Sequence, residues 1–380
     1  MTRLLSMLMW HARVALAILF LSIHPASAAD PVFTSKDHTY KAVTLADGLN
    51  EPWGMAFLPG DGGILITEKT GKVRLYRNGL QRDAIPGGPK SVDWGQGGLM
   101  DIALHPDFVT NQLVYFTYAG RDLGGVGTEL ARAKFTGRAF ENLEVLFKAQ
   151  PKTGSTRHFG SRLVFDRTGH LFMTHGDRGA RFEAQKLGVH QGSIFRFTAA
   201  GRVPKDNPFV GRAGTRPEIY SYGHRNAQGA ALHPETGVLW NHEHGPRGGD
   251  EVNIVHRGAN YGWPIITYGE EYSGGKVSEF THKDGMEQPV LYWVPSIAPS
   301  GMAFYTGSKF SKWTGNLFVG ALRGRHLRRV ILRGARVLDQ EELLTGLDER
   351  IRDVENGPDG YLYVLTDSGD GRLIRLEPAN

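Results

Sequence analysis

Short apolar segments separated by turn residues recur along the chain, whereas long stretches with helical periodicity are hard to find. Six segments share one pattern, in which an apolar strand is followed by a turn containing Pro, Asp or Gly and then by a second apolar strand. They span residues 53–68, 99–118, 161–177, 229–243, 301–320 and 353–367. Apolar runs bounded by turn residues are typical of β-strands, so each segment predicts a β-hairpin.

The repetition of this hairpin predicts the architecture. Sequence units that recur at this scale are typical of solenoids and propellers, and six units over the chain after residue 28 average roughly 58 residues, somewhat more than a common propeller repeat. We therefore predict an all-β fold, a six-bladed β-propeller, in a single domain over residues 30–380. Functional loops of such a fold gather at one end of the central channel, so motifs distant in sequence can meet there.

The first residues have the three parts of a secretory signal peptide, which we assign to residues 1–28. Arg3 and Arg13 precede an apolar run over 14–23, and the small residues 26–28 follow it. The run is about half the length that a membrane-spanning helix needs, and no later segment is a transmembrane candidate. We expect a periplasmic or secreted protein after cleavage, with no transmembrane segment.

Composition narrows the function classes. Lys and Arg number 44 against 39 Asp and Glu, and the basic residues are scattered. Nucleic-acid binding usually requires a clustered basic face, so no nucleic acid is expected as a partner. Cysteine is absent, which excludes disulfides and thiol chemistry in this exported chain. Glycine, at 50 of 380 residues, is about twice its usual share, as a turn-rich β-protein requires.

His158 and Asp177 are the first candidate catalytic pair. His158 precedes the apolar strand in STRHFGSRLVF, and Asp177 ends the following strand in FMTHGDRG. If the two strands form a hairpin, a carboxylate there can orient the imidazole and raise its basicity, as in general base catalysis. The alternative is that His158 is an ordinary loop histidine.

Two arginine motifs suggest an anionic ligand. Arg225 and Asn226 follow an aromatic, glycine-rich turn, and a guanidinium offers forked donors to a carboxylate. Arg350 and Arg352 alternate around Ile351, which places both on one face of a strand. Solvent-exposed positions, with Arg350 and Arg352 paired to nearby carboxylates, remain open for both motifs.

The stretch HGPRGGDEVNIVHRGANYGWP, residues 244–264, is rich in oxygen donors and backbone kinks. Hard oxygen ligands of mixed side-chain and main-chain origin are typical of calcium sites. His242 and His244 suggest zinc instead, but no HExxH spacing accompanies them. A turn-rich surface loop is the remaining alternative. GxSxG, P-loop and Rossmann GxGxxG motifs are all absent from the chain.

The order of these motifs carries a family resemblance. WGQGGLMDIALHPDF, RHFGSRLVF with HGDRG, GHRNAQG, HGPRGGDEVN with NYGWP, and ERIRD follow one another from about Tyr40 to Leu376. In this order they resemble the soluble quinoprotein sugar dehydrogenases, the exported glucose/sorbosone dehydrogenase family, and especially its bacterial aldose sugar dehydrogenase branch. The resemblance implies a six-bladed propeller that binds pyrroloquinoline quinone (PQQ) and calcium (Ca2+).

The resemblance also implies roles for individual residues. His158 is similar to the family's catalytic base, Asp177 to its orienting carboxylate and Arg225 to the group that stabilises the developing oxyanion. Quinone-contacting positions correspond to Gln96, Arg225, Asn226, Tyr272, Ala321, Arg323, Arg350 and Arg352. The backbone carbonyls of Gly245 and Pro246 correspond to the active-site calcium, and Glu251 and Tyr261 to a second, structural calcium.

The reaction that the resemblance implies is oxidation of an aldose sugar at C1 to the lactone, with electrons passed to an external acceptor such as a quinone, a dye or a cytochrome. Glucose-active members carry an acidic residue where this chain has Arg157, so a broad aldose range is expected rather than glucose alone. Two other functions stay open: a calcium-dependent lactonase on a similar propeller, and a ligand-binding module without redox activity.

Overall fold

The computed structural model describes residues 30–60 and 63–379. The predicted signal peptide, residues 1–28, lies outside the described residues. Nearly all regular structure is β, arranged in six antiparallel sheets. Five of the sheets are continuous in sequence, and the sixth combines strands from both ends of the chain.

The strands are grouped below by sheet, with the strand nearest the central channel first. They are β3 (Pro52–Phe57), β4 (Ile64–Glu68) and β5 (Lys72–Tyr76); β6 (Leu99–Leu104), β7 (Leu113–Asp122), β8 (Gly125–Phe135) and β9 (Phe140–Lys148); β10 (Leu163–Phe165), β11 (His170–His175), β12 (Ser193–Thr198) and β13 (Ile219–Tyr222); β14 (Ala227–Leu232), β15 (Leu239–Glu243), β16 (Asp250–Ile254) and β17 (Leu291–Trp293); β18 (Pro299–Phe304), β19 (Leu317–Ala321), β20 (His326–Arg333) and β21 (Arg336–Leu343); and β22 (Ile351–Asn356), β23 (Leu362–Thr366), β24 (Gly371–Pro378), β2 (Thr39–Leu49) and β1 (Val32–Thr34).

The six sheets form a closed ring. The first strands β3, β6, β10, β14, β18 and β22 pack against one another in chain order, and β22 returns to β3. Strand β2, near the start of the described residues, pairs with the last strand β24, so the last blade combines strands from both ends of the described chain. The predicted six-bladed β-propeller is confirmed.

The six predicted hairpins are the two inner strands of each blade. These strands are buried on both faces because neighbouring blades cover them, as in β4, where all five residues are buried. This explains why their sequences read as apolar runs rather than as alternating patterns. The two strands of each hairpin are antiparallel. The start of the first strand and the end of the second strand therefore always lie at the same mouth of the channel.

Helices are short and lie in the connections between strands. Among the described residues, one α-helix covers Phe108–Asn111, and 3₁₀ turns cover Arg181–Gln185, Ser311–Trp313 and Thr345–Leu347. Within residues 30–60 and 63–379, no helix has the length and apolar character needed to cross a bilayer.

A buried arginine links the inner strands across the channel. Arg162 is 4% exposed and forms ion pairs with Asp101 at 2.9 Å and Asp353 at 3.0 Å. Its guanidinium lies 4.6 Å from the ring centroid of Trp53. Asp101 also accepts the main-chain N–H of Leu163 at 2.7 Å, and Nε of Arg162 donates to the carbonyl of Gln228 at 3.2 Å. These contacts join five of the six blades.

Candidate active site

Loops from several blades line a cleft at the mouth where the inner strands begin. The cleft opens to solvent and contains about 570 Å³ of empty space. Most of its lining is polar or charged: Glu51, Lys69, Gly95, Gln96, Gln228, His244, Leu322, Arg350, Arg352 and Asp367. Three predicted cofactor-contacting residues, Gln96, Arg350 and Arg352, therefore line one cavity although they lie up to 256 positions apart in sequence.

His158 and Asp177 lie together beside this cleft. Nδ1 of His158 is 2.6 Å from Oδ1 of Asp177, and the side chain of Gln96 accepts the main-chain N–H of His158 at 2.7 Å. The backbone of His158 is left-handed, with φ 58°. A Cβ at residue 176 would lie 2.2 Å from the carbonyl oxygen of His158, so Gly176 of the HGD motif allows the two segments to approach.

Burial sets the protonation of this pair. It lowers the pKa of His158, although the hydrogen bond with Asp177 opposes the effect, and the positive charge of Arg225 lowers that pKa further. Burial alone would raise the pKa of Asp177, but its hydrogen bond and charge interaction with His158 outweigh burial and hold it below its usual value. The pair is therefore a neutral imidazole beside a carboxylate, a state in which Nδ1 donates to Asp177 and Nε2 is free to accept a proton.

Arg225 lies over the loop that follows β15. One guanidinium nitrogen, Nη1, donates to the carbonyl of His244 at 3.0 Å and to that of Gly245 at 2.8 Å. Its Nε atom has no hydrogen-bond partner among the described residues. The Gly245 carbonyl, a predicted calcium ligand, thus already faces one cationic group.

Asn226 is the buried residue next to Arg225. Its Oδ1 atom accepts the main-chain N–H of Gly160 at 3.1 Å. Its Nδ2 group is buried and, within the part of the chain that the structure describes, donates to nothing. Since an unmet buried donor is costly, Asn226 Nδ2 and Arg225 Nε mark places where a ligand oxygen is expected.

Arg350 and Arg352 share a carboxylate at the far side of the cleft. Nη2 of Arg350 lies 2.6 Å from one oxygen of Asp367, and Nη2 of Arg352 lies 2.8 Å from the other. The two positive charges outnumber the single carboxylate. They are directed into the cleft as period-two spacing predicted, and together they leave it able to attract an anion.

Three predicted quinone-contacting residues are not among those that line the cleft. Tyr272 is 68% exposed, and Ala321 is fully buried at the end of β19. Arg323 lines a neighbouring groove that also contains Trp293 and Arg328. Leu322, between Ala321 and Arg323, is the residue of this segment that lines the cleft.

A second, smaller cavity lies behind Arg225. Glu243 and Glu251 are directly opposed across β15 and β16, and both line the cavity together with Tyr261. Burial and the charge of Glu243 raise the pKa of Glu251 well above its usual value. Two carboxylates of this kind fit a divalent cation, because its charge relieves their repulsion. Pro246 lies in the adjoining loop and packs against Gly269.

Sequence reasoning missed four residues that complete these sites: Lys69, Asp367, Glu243 and Trp263. Asp367 and Lys69 each follow the second strand of a predicted hairpin, where Asp177 was found, so the position rule that located Asp177 applies to them too. Trp263 donates its indole N–H to Oδ2 of Asp177 at 2.8 Å, a contact that no local pattern predicts.

Comparisons with known proteins agree with this geometry. A family model described as Glucose / Sorbosone dehydrogenase matches residues 49–375. The aldose sugar dehydrogenase YliI of Escherichia coli (strain K12) is 43% identical over 348 residues, covering 90% of this chain and 94% of that protein.

Two solved structures extend the likeness. The crystal structure of the soluble aldose sugar dehydrogenase from Escherichia coli in the apo-form has a TM-score of 0.87 at 42% identity, covering 90% of this chain and 100% of the other. The PQQ-bound form of the aldose sugar dehydrogenase from Streptomyces coelicolor has a TM-score of 0.74 at 28% identity, covering 92% and 99% respectively. The chain therefore belongs to the glucose/sorbosone dehydrogenase family of oxidoreductases.

Proposed function

We propose that the protein is a PQQ- and calcium-dependent dehydrogenase that oxidises aldose sugars at C1 to the lactone. The observation that carries this proposal is the position of the neutral His158–Asp177 pair beside an arginine-lined cleft, with unmet buried donors on the adjoining Arg225 and Asn226. A base and an anion site in contact with one cavity are the two requirements of this reaction.

The residues of the cleft fit the quinone. PQQ carries three carboxylates, and the cleft offers Arg350 and Arg352. Free donors lie on Asn226 and on Arg225, which contacts His244 of the cleft lining. Gln96 also lines the cleft and adjoins His158. When bound, the quinone supplies the two-electron acceptor that the side chains of the protein lack. The PQQ-bound state of the Streptomyces coelicolor relative supports this choice of cofactor.

The side chains then have separate tasks. Nε2 of His158 takes the proton from the anomeric hydroxyl of the sugar, while Asp177 stabilises the imidazolium through Nδ1. Arg225 lies close enough to His158 to lower its pKa, and its positive charge stabilises the oxygen that becomes negative. Burial of the pair limits competition from water for both hydrogen bonds.

The functional assignment is tested with purified protein supplied with PQQ and calcium. We expect dye reduction with several aldoses, and quinone absorbance that survives desalting. Protein that neither retains the quinone nor reduces the dye contradicts the proposal. The same assay without quinone separates it from a calcium-dependent lactonase, which needs only the metal.

The arginines of the cleft give a prediction for quinone affinity. Replacing Arg350 or Arg352 by Gln removes a charge-assisted hydrogen bond to a carboxylate, which is worth about 1.5–3 kcal/mol, or roughly 10- to 150-fold in Kd. Quinone titration followed by protein fluorescence measures the change. Arg333→Gln, an exposed arginine at the end of β20, is the matched control and should leave Kd unchanged. If all three variants bind the quinone with the affinity of the wild type, the assigned anion site is contradicted.

Calcium is proposed at two places, near the carbonyls of Gly245 and Pro246 and in the cavity of Glu251 and Tyr261. A chelator should lower the unfolding temperature, because an ion present at 100 times its Kd adds about 2.7 kcal/mol to stability. Calcium, but not sodium, should restore it. Glu251→Gln should remove most of the response, whereas Glu279→Gln, which changes an exposed carboxylate, should not. A chelator-insensitive wild type contradicts the calcium proposal.

Location and partners follow from the signal-peptide prediction. We propose a periplasmic or secreted enzyme that passes electrons to an external quinone, dye or cytochrome. Arg157, next to His158, is exposed at the rim of the site, where it is available to contact the sugar. This position supports a broad aldose range, which the assay with several aldoses measures.

A further inference from the structure

Trp263 is buried among the groups of the candidate site, and the proposed function gives it no task. It is 6% exposed, and its Nε1–H donates to Oδ2 of Asp177 at 2.8 Å. The guanidinium of Arg225 lies 5.2 Å from the centroid of its ring. One indole therefore contacts both the carboxylate and the cation that flank His158.

We infer that Trp263 is a positioning residue for the proposed base: its indole N–H fixes one oxygen of Asp177 so that the other stays directed at His158, and its ring supports Arg225. This inference rests on the proposed function only for its kinetic consequence. The contact with Asp177 is a property of the chain itself and can be measured without quinone or sugar.

The hydrogen bonds of Asp177 show why the indole is needed. Oδ1 accepts from His158 at 2.6 Å and from the main chain of Gly179 at 2.7 Å. Oδ2 has Trp263 as its one donor among the described residues. Since Asp177 is fully buried, water cannot replace that donor. Without it, the carboxylate has an unmet oxygen and a weaker constraint on its rotation.

The backbone holds the indole in place from a distant part of the chain. The main-chain N–H of Trp263 donates to the carbonyl of Gly223 at 2.9 Å, and its carbonyl accepts from the side chain of Gln185 at 2.8 Å. A Cβ at Gly262 would lie 2.2 Å from Ile266, so the preceding turn is closely packed. The NYGWP motif thus presents a rigid donor, and groups placed this way orient catalytic residues well.

Loss of the indole donor has a defined electrostatic consequence. The charged groups facing His158 are Asp177, Arg225 and Arg157. His244 also interacts electrostatically with His158. Arg178 and Arg181 also face Asp177. If Asp177 loses a donor while these cations stay in place, its carboxylate becomes more basic and holds the His158 proton more strongly. The pKa of His158 should therefore rise.

The test is Trp263→Phe, which keeps an aromatic ring and removes the N–H. In quinone-free protein, NMR titration of the imidazoles, with His158 assigned by its loss in His158→Gln, should show the pKa of His158 raised by about 0.5 or more. With quinone and calcium, kcat should fall about 10-fold while KM for the sugar stays within about twofold. The acid limb of the pH profile should move upward with the imidazole.

The matched control is Trp293→Phe, which also removes a buried indole donor, here to Gln340 at 2.8 Å. It should leave the His158 titration unchanged. A Trp263→Phe protein that folds and titrates like the wild type overturns the inference, whatever its activity. If that variant does not fold, the wild-type indole proton decides: its resonance should move when Asp177 is changed to Ala, and an unmoved resonance overturns the inference. Inactivity of the quinone-loaded wild type overturns only the proposed function.

Discussion

His158→Ala is expected to lower kcat by about 10²–10⁴-fold, the usual contribution of a positioned general base. The imidazole of His158 lies next to the cleft and has a lowered pKa. Its Nδ1 atom is hydrogen-bonded to the carboxylate of Asp177, which leaves Nε2 to act as the base. Without it, the proton of the anomeric hydroxyl must leave to water. Steady-state dye reduction with saturating quinone measures the loss, and the fall should appear equally in kcat and kcat/KM.

Two controls make this result specific. His282→Ala changes an exposed histidine that lines neither the cleft nor the cavity behind Arg225 and should keep full activity. Quinone affinity of His158→Ala should stay close to that of the wild type, because the assigned anion contacts come from other residues. Activity within tenfold of the wild type, with quinone bound, contradicts the role of His158 as the base.

The pairing of His158 with Asp177 could be predicted from sequence because a hairpin fixes it. The start of one inner strand and the end of the next must lie at the same mouth, so two polar residues at those positions meet regardless of the surrounding blades. The same rule covers Lys69 and Asp367, which lie after β4 and β23. Contacts inside one blade are thus accessible to a reading of strand and turn patterns.

Contacts between blades were harder to predict, because no periodic pattern reports them. The indole of Trp263 reaches Asp177 across 86 positions in sequence, and strand β2 closes the ring against β24. Tyr272, Ala321 and Arg323 stay predictions: the cleft lining includes Leu322, between Ala321 and Arg323, but none of the three residues themselves. A motif locates a segment, whereas the direction of each side chain depends on the packing around it.

Arg162→Met is expected to lower the free energy of unfolding by about 3–5 kcal/mol, the usual cost of removing one partner from a buried ion pair. The arginine is 4% exposed and is the cation paired with both Asp101 and Asp353. Methionine is an unbranched apolar side chain that resembles the aliphatic part of arginine. The loss in free energy of unfolding therefore reflects the missing charge more than missing volume. Denaturant unfolding measures it.

The size of this loss should depend on pH in a defined direction. Burial raises the pKa of Asp353 to about 7, even though Arg162 opposes the effect. A carboxyl whose pKa is higher in the folded state than in the unfolded chain, where it is about 3.9, contributes stability at low pH and loses it as pH rises through the folded value. Removing Arg162 raises the pKa of Asp353 in the folded state further. The loss in free energy of unfolding caused by Arg162→Met should therefore be smallest near pH 5 and largest near pH 8.

A surface arginine provides the comparison for this pH series. Arg325 pairs with Asp348 at 3.0 Å, and both side chains are more than half exposed; exposed pairs contribute only about 0.2–1 kcal/mol. Arg325→Met should therefore lose little stability, with no systematic change between pH 5 and pH 8. If Arg162→Met shows the same small and constant loss, the charges in the channel do not hold the blades together, and apolar packing between neighbouring sheets alone stabilises the ring.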